Sequence, residues 1–366
     1  MRIGIDIGGT FTDLVMIDDA AGAVLVGKTL TTPVDPAEGF LRVLADALAR
    51  AGRSLAQVRT IVHGTTLVTN ALIERKGPRT ALLATRGHRD LIEIGREQRF
   101  DLYDLQLQRP TPLAPRWLRF DVPERILADG VVRDPLDVAS VESLAVELAA
   151  NGVSAVAICF LNSYLNPIHE QQAAAAIRLT APGLRVTLSA EVAPEIREYE
   201  RASTALANAY VQARLEDYLE ALTTRLAAGG FAGSFLLMQS AGGLAAPETA
   251  ARFPVRLLES GPAGGVLAAA RIAEQAGFGE VLAFDMGGTT AKLSVIEGGA
   301  PLVTRDFEAD RVYRFKRGSG LPIRVPTIDL IEIGAGGGSI ARIDALGLLK
   351  VGPESSGADP GPACYG

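Results

Sequence analysis

Two short phrases hold most of the residues in this chain that are suited to chemistry. Asp6-Ile7-Gly8-Gly9-Thr10 and Asp285-Met286-Gly287-Gly288-Thr289 stand 279 positions apart, each between two apolar, strand-like runs. That context is a β-hairpin whose turn is made of glycines and hydroxyl-bearing neighbours. Glycine lets a ligand approach the backbone, and successive amides in such a turn form a concave anion site. Two of these turns facing each other can hold a polyphosphate, with Gly8, Gly9, Thr10 and Thr12 on one side and Gly287, Gly288, Thr289 and Thr290 on the other. The acid before each turn, Asp6 or Asp285, supplies an oxygen to a hard cation such as Mg²⁺. A single such phrase would be an ordinary tight turn. Its return with Asp, Gly, Gly, Thr, Leu and Ile in the same order over 6–18 and 285–297 favours phosphate binding.

Other candidates cluster around this pair. Lys292 occupies the place in the second phrase that Asp13 holds in the first, so the two halves are electrostatically unequal. Glu259 opens the run Glu259-Ser260-Gly261-Pro262-Ala263-Gly264-Gly265 ahead of an Ala-rich helix expected over 266–276. There it either orders a metal-bound water or complements the helix dipole. His63, in His63-Gly64-Thr65-Thr66, ends a strand and is expected to face a crevice for substrate orientation or proton transfer, unless it is a core histidine. The glycine run 334–338 places Gly336 and Gly337 where a ligand comes close to the backbone. Arg197, Glu198, Glu200 and Arg201 read as a solvated or interdomain helical face. Gly22 to Thr29 matches a P-loop pattern formally, but its middle is a β-type run and Pro33 precludes the helix a P-loop launches.

The elements that must position these residues also repeat. Strands are expected over 2–7, 11–17 and 24–30, then a helix over 36–51 with Phe40, Val43, Leu44, Ala47 and Leu48 in one stripe, a strand over 60–63 and a helix over 68–75. A second set starts with strands over 281–285, 291–296 and 302–305. This order is that of an actin-like ATPase unit, ribonuclease H-like as in hexokinase and Hsp70, so the expected fold is α/β with duplicated lobes and mixed sheets. Between the two sets, 96–135 is rich in Pro, Arg and Asp, and 138–230 alternates helix and strand, ending in a long helix over 196–227. The expected division is 1–95 for the first part of lobe one, 96–230 for a connection and α/β region completing it, and 231–366 for the start of an incomplete second lobe.

Composition narrows the function classes. The 366 residues carry a net charge of −6 and a pI near 5.3, which leaves no basic footprint for nucleic acid. Apolar runs are strand-sized, far short of a membrane span. Cys159 and Cys364 offer neither a disulfide framework nor a Cys-x-x-Cys metal pair, so a cytoplasmic location is expected. The Gly/Pro-rich stretch 357–366 suggests truncation.

Taken together, Asp6 to Asp13, His63 to Asn70, Glu259 to Gly265, Asp285 to Thr290 and Ile333 to Ser339 resemble the hydantoinase A / 5-oxoprolinase family, which also contains the ATP-binding subunits of acetone and acetophenone carboxylases. The resemblance covers the whole chain. It implies an actin-like ATPase fold, ATP and Mg²⁺ as cofactors, and phosphoryl transfer to the oxygen of a cyclic amide (5-oxoproline, hydantoin or N-methylhydantoin) for ring opening. It further implies a B-type partner subunit or domain. Two alternatives stay open: the ATP-binding subunit of a ketone carboxylase, and a non-catalytic nucleotide-gated binding module.

Overall fold

The computed structural model describes residues 1–288, 290–313, 316–357 and 361–363. Alternating apolar residues build a first hairpin of β1 (Arg2–Ile7) and β2 (Phe11–Asp18), and β3 (Ala23–Leu30) adds antiparallel to β2. Helix α1 (Pro36–Ala51) follows, with Asp35 accepting from the Ala37 amide at its start and Gly52 ending it at φ 63°. All five residues of the expected stripe are buried. Strand β4 (Thr60–Thr65) lies parallel to β1, and helix α2 (Leu67–Ile73) leads away from its carboxyl end. Strand Ser234–Met238 then lies parallel to β4. The sheet order is therefore 3-2-1-4 followed by 234–238, with Leu244–Ala245 on the edge. This is the ribonuclease H-like order expected from the sequence.

Within this lobe sits a second, all-parallel sheet of β5 (Thr80–Thr85), β6 (Arg119–Val122), Ala155–Cys159 and Arg185–Leu188, with short α3 (Leu91–Ile94) in the β5–β6 connection. Helix Glu198–Ala228, the central helix, packs between the two sheets. Ala155, Ala157 and Cys159 face it, while Val156 and Ile158 face helices Val138–Ala150 and Ile168–Thr180 on the other side. Leu206, Tyr210, Val211, Leu215, Tyr218, Leu219, Leu222 and Leu226 are all buried, as their spacing predicts. Cys159 is a free, buried thiol, and Cys364 lies outside the described residues. Among the described residues no helix is long and apolar enough to cross a membrane.

Strand pairing ties 96–230 to the first lobe and also draws in a strand beyond 230. β5 shares its sheet with strands up to 188, and 234–238 closes the first lobe's sheet. Pairing across such separations has no local signal in the chain. The charged group at the start of the central helix also differs from expectation, since Glu200 and Arg201 are buried rather than solvated. Glu200 pairs with Arg96, and the Arg201 guanidinium donates to the Phe160 carbonyl.

The second hairpin, Val281–Met286 with Ala291–Glu297, repeats the first. Ala300–Pro301 and Ile331–Ile333 also pair with Ala291–Glu297, whereas Val303–Thr304 leaves for a separate ribbon, so the strand expected over 302–305 is not the third of this sheet. Cover differs sharply between the halves. Ile3, Ile5 and Ile7 are 2%, 2% and 3% exposed, whereas Leu282, Phe284 and Met286, which occupy the matching positions, are 60%, 61% and 56% exposed. In the first lobe α1 and the central helix cover this face, through Phe40 and Tyr218 against His63. Ile5→Ala is accordingly expected to cost about 2–4 kcal/mol, and Phe284→Ala under about 1 kcal/mol. Urea midpoints of the two variants test this.

Candidate active site

Each hairpin is closed by the same backbone bond, Gly8 N–H to the Phe11 carbonyl at 2.9 Å and Gly287 N–H to the Thr290 carbonyl at 3.0 Å. Register places Asp6 opposite Asp13 and Asp285 opposite Lys292, so Lys292 is the structural counterpart of Asp13. Gly8, Gly9 and Gly287 do not adopt positive φ. A Cβ on Gly9 would meet nothing within 4 Å, and one on Gly287 nothing nearer than 3.9 Å. Space for a ligand above the turn, rather than backbone strain, is therefore what glycine supplies here.

Asp6 sits in a cradle of glycines. A Cβ on Gly261 would lie 2.5 Å from Asp6 Oδ1, and one on Gly64 2.6 Å from the same atom. Ser260 fixes the cradle, its hydroxyl accepting from Thr65 N–H and donating to the Thr65 carbonyl, each at 3.1 Å. Burial pushes the Asp6 carboxyl up to about 6; Asp13 and Asp285 act in the same direction, and Lys292 opposes them. Charges of both hairpins thus converge on one carboxylate. Its Oδ1 is buried without a hydrogen-bond partner, an arrangement that costs free energy unless a ligand completes it. Among the described residues no three His, Cys, Asp or Glu side chains are grouped to hold a metal ion. The unpartnered Asp6 Oδ1 is the kind of oxygen a hard cation such as Mg²⁺ takes, with one or two carboxylates plus phosphate oxygens around it. Asp6, with Asp285 near enough to raise its pKa, would hold it.

Glu259 stands at φ 56° just before helix Ser260–Ala276 and is ion-paired with Lys292, both side chains being largely buried. Glu332 approaches Lys292 at 3.9 Å. The helix starts at Ser260 rather than at the expected Val266, so the stretch expected to be a loop forms its first turns. Pro262 is tolerated there because first-turn amides lack helical acceptors. Gly261 lets that turn reach Asp6.

Comparison with known proteins decides the family. The model of the hydantoinase/oxoprolinase N-terminal region matches residues 2–180, and that of hydantoinase/oxoprolinase matches 201–366. The chain belongs to the hydantoinase/oxoprolinase family. It is 42% identical to an uncharacterized protein of Methanocaldococcus jannaschii, aligned over 100% of this chain and 54% of that one. It is 38% identical to the caprolactamase subunit alpha of Pseudomonas jessenii, over 100% of this chain and 52% of that one. The crystal structure of that ATP-dependent caprolactamase superposes with TM-score 0.85 at 37% identity, covering 100% and 52% of the two chains. A nucleotide-free acetone carboxylase structure superposes with TM-score 0.83 at 28% identity, covering 98% and 51%. The chain thus spans about half the length of the curated relatives it matches.

In this member of the family, some expected site residues lie elsewhere. His63 is fully buried, its Nδ1 donating to the Ile5 carbonyl at 3.0 Å and its Nε2 accepting from the Tyr218 hydroxyl at 2.8 Å. With both nitrogens used and Phe40 and Phe235 packed on the ring, it is a core residue. Thr12 is buried against Thr31, because its position on β2 faces the covered side of the sheet. The glycine run serves backbone packing. Gly337 and Gly338 donate to the Gly287 and Gly288 carbonyls at 3.0 and 2.7 Å, and Gly336 donates to the Ser339 hydroxyl. The Gly337 and Gly338 amides are thereby spent on holding the second hairpin, and the Gly336 amide on the turn to Ser339. Asp13 is exposed and paired with Lys28, the lysine of the P-loop-like stretch, which lies in β3. The Thr10 carbonyl accepts from Thr31 N–H beside the first turn, and Thr289 lies outside the described residues. Gly64, Ser260 and Gly261 were not singled out by sequence reasoning, although each lies inside a motif that was.

Burial lowers the His63 pKa to about 4, against about 6.5 in an unfolded chain. The folded state therefore binds fewer protons across that window. Its stability contribution is complete above pH 6.5 and is lost as pH falls towards 4. His63→Gln, which cannot protonate, is expected to flatten this part of the stability profile. Urea midpoints taken across the window check it.

Proposed function

We propose that this chain is the nucleotide-binding part of an ATP-dependent enzyme that activates a cyclic amide, of the 5-oxoproline or hydantoin type, by passing the γ-phosphoryl group to its carbonyl oxygen. The observation that carries the reading is the partnerless, glycine-cradled carboxylate of Asp6 between two matched hairpins. The caprolactamase relative supports the amide class.

In this reading the room above the Gly8-Gly9 and Gly287-Gly288 turns takes the phosphate oxygens, which accept from amides other than the two that close the hairpins, and Thr10 and Thr290 flank them. Asp6 and Asp285 hold Mg²⁺, which would supply charge neutralisation at the transferring group. Lys292 compensates charge at the second hairpin, and Glu259 keeps its ammonium in place. The carbonyl carbon, bearing a phosphorylated oxygen, is then open to water, and ring opening falls to a B-type subunit or domain. The chemistry demands positioning and electrostatics more than covalent groups, which suits a site without a free histidine. The proposed location is cytoplasmic, where ATP is available.

The likeness to acetone carboxylase favours a second reading, in which the acceptor is a ketone. Phosphate release by the chain together with a B-type subunit, measured with 5-oxoproline, hydantoin, caprolactam, acetone and acetophenone, separates the two. Stimulation by amides alone is expected. Stimulation by ketones alone would transfer the assignment, and nucleotide binding with no stimulation by any of them would favour a nucleotide-gated binding module.

A further inference from the structure

In a trans peptide the carbonyl of one residue and the N–H of the next point in opposite directions, so whatever ties a turn's carbonyls to the scaffold also aims its amides away from it. The first hairpin has such a tie. Thr31, the residue after β3, donates its hydroxyl to the Gly8 carbonyl at 2.9 Å and its N–H to the Thr10 carbonyl at 3.0 Å. In the second hairpin Gly337 and Gly338 do the same for the Gly287 and Gly288 carbonyls. Each clamp follows the strand that lies antiparallel to the hairpin's second strand, β3 in one lobe and Ile331–Ile333 in the other.

The consequence falls on two amides. With the Gly8 carbonyl turned to Thr31, the Gly9 N–H faces the opposite way; with the Gly287 carbonyl turned to Gly337, so does the Gly288 N–H. Neither amide has an acceptor among the described residues, and a Cβ on Gly9 would meet nothing within 4 Å. Of the four clamping bonds only that of the Thr31 hydroxyl is made by a side chain. A hydroxyl carries one hydrogen. Since Thr31 spends its own on Gly8, the 3.2 Å contact with Thr12 Oγ1 runs from Thr12 to Thr31. Thr12, buried and expected from the sequence to touch the ligand, is thus the anchor of a chain that ends at the Gly9 N–H.

We propose that Thr31 is a positioning residue for the phosphates: through the Gly8 carbonyl it aims the Gly9 amide at a phosphate oxygen, as Gly337 aims that of Gly288 through the Gly287 carbonyl. This role rests on the proposed function, in which the two turns take phosphates; the clamp itself does not.

Thr31→Val keeps the branched shape and the backbone bond to Thr10 but lacks the hydroxyl, whereas Thr31→Ser keeps the hydroxyl. Calorimetric titration of the 366-residue chain and both variants with Mg-ATP, and with magnesium tripolyphosphate as a ligand without the nucleoside, tests the role. Thr31→Val is expected to weaken both ligands by the same factor, about tenfold, and Thr31→Ser to bind both as the parent chain does. Circular dichroism and thermal melts establish that the variants are folded. A purely structural threonine would lower the melting temperature of Thr31→Val and leave its affinities unchanged, which would overturn the proposal and leave the phosphate reading standing. So would a loss shared by Thr31→Ser, or a loss confined to Mg-ATP. A parent chain that binds neither ligand would overturn the phosphate reading itself, and this role with it.

Discussion

Asp6→Asn is expected to weaken Mg²⁺-dependent ATP binding by about a hundredfold while making the ligand-free protein more stable. The carboxylate is buried, one of its oxygens has no partner, and two further carboxylates lie close enough to raise its pKa to about 6. At neutral pH it is therefore held ionised at a cost. Neutralising it relieves a strain on the order of 1–2 kcal/mol in the empty protein and removes the ligand that a cation needs. Gain of stability with loss of binding is the signature of a site built for an absent charge. A purely structural carboxylate would give the opposite pair of results. Calorimetry with Mg-ATP and thermal melts of both proteins decide between them, and a variant that binds normally would remove Asp6 from the metal site.

Gly261→Ala should be nearly as damaging to binding, by a different route. Its Cβ would sit 2.5, 2.8 and 2.9 Å from Asp6 Oδ1, Oδ2 and Cγ, so either the carboxylate swings out or the helix start moves and breaks the Ser260–Thr65 pair. Alanine otherwise favours a helix over glycine by about 1 kcal/mol, so the variant is expected to fold. Gly265→Ala, four residues on in the same helix with nothing within 4 Å of its Cβ, is the control and should gain stability with binding unchanged. If both variants bind ATP alike, the cradle has no part in the site.

Much of the scaffold was legible because its signals are local. β1 and α1 have the bounds their alternation and stripe predict, and the paired hairpins announce themselves by repetition. The site was only partly legible. His63 looked catalytic by residue type and strand end, but which side of β4 it faces depends on what packs there. Gly336 and Gly337 were read as a place where a ligand comes close, yet the Gly337 amide meets the second hairpin's own backbone and the Gly336 amide the Ser339 hydroxyl.

By itself, then, the chain specified two matched glycine turns, the acids beside them and a duplicated α/β order, since each depends on neighbours a few residues apart. Only the tertiary structure decided that Gly64 and Gly261, nearly 200 positions apart, close on one carboxylate, that Lys292 binds Glu259, and that Ile5 is covered where Phe284 is bare. Those outcomes are set by which surfaces meet, and close packing between distant segments leaves no pattern in the local sequence.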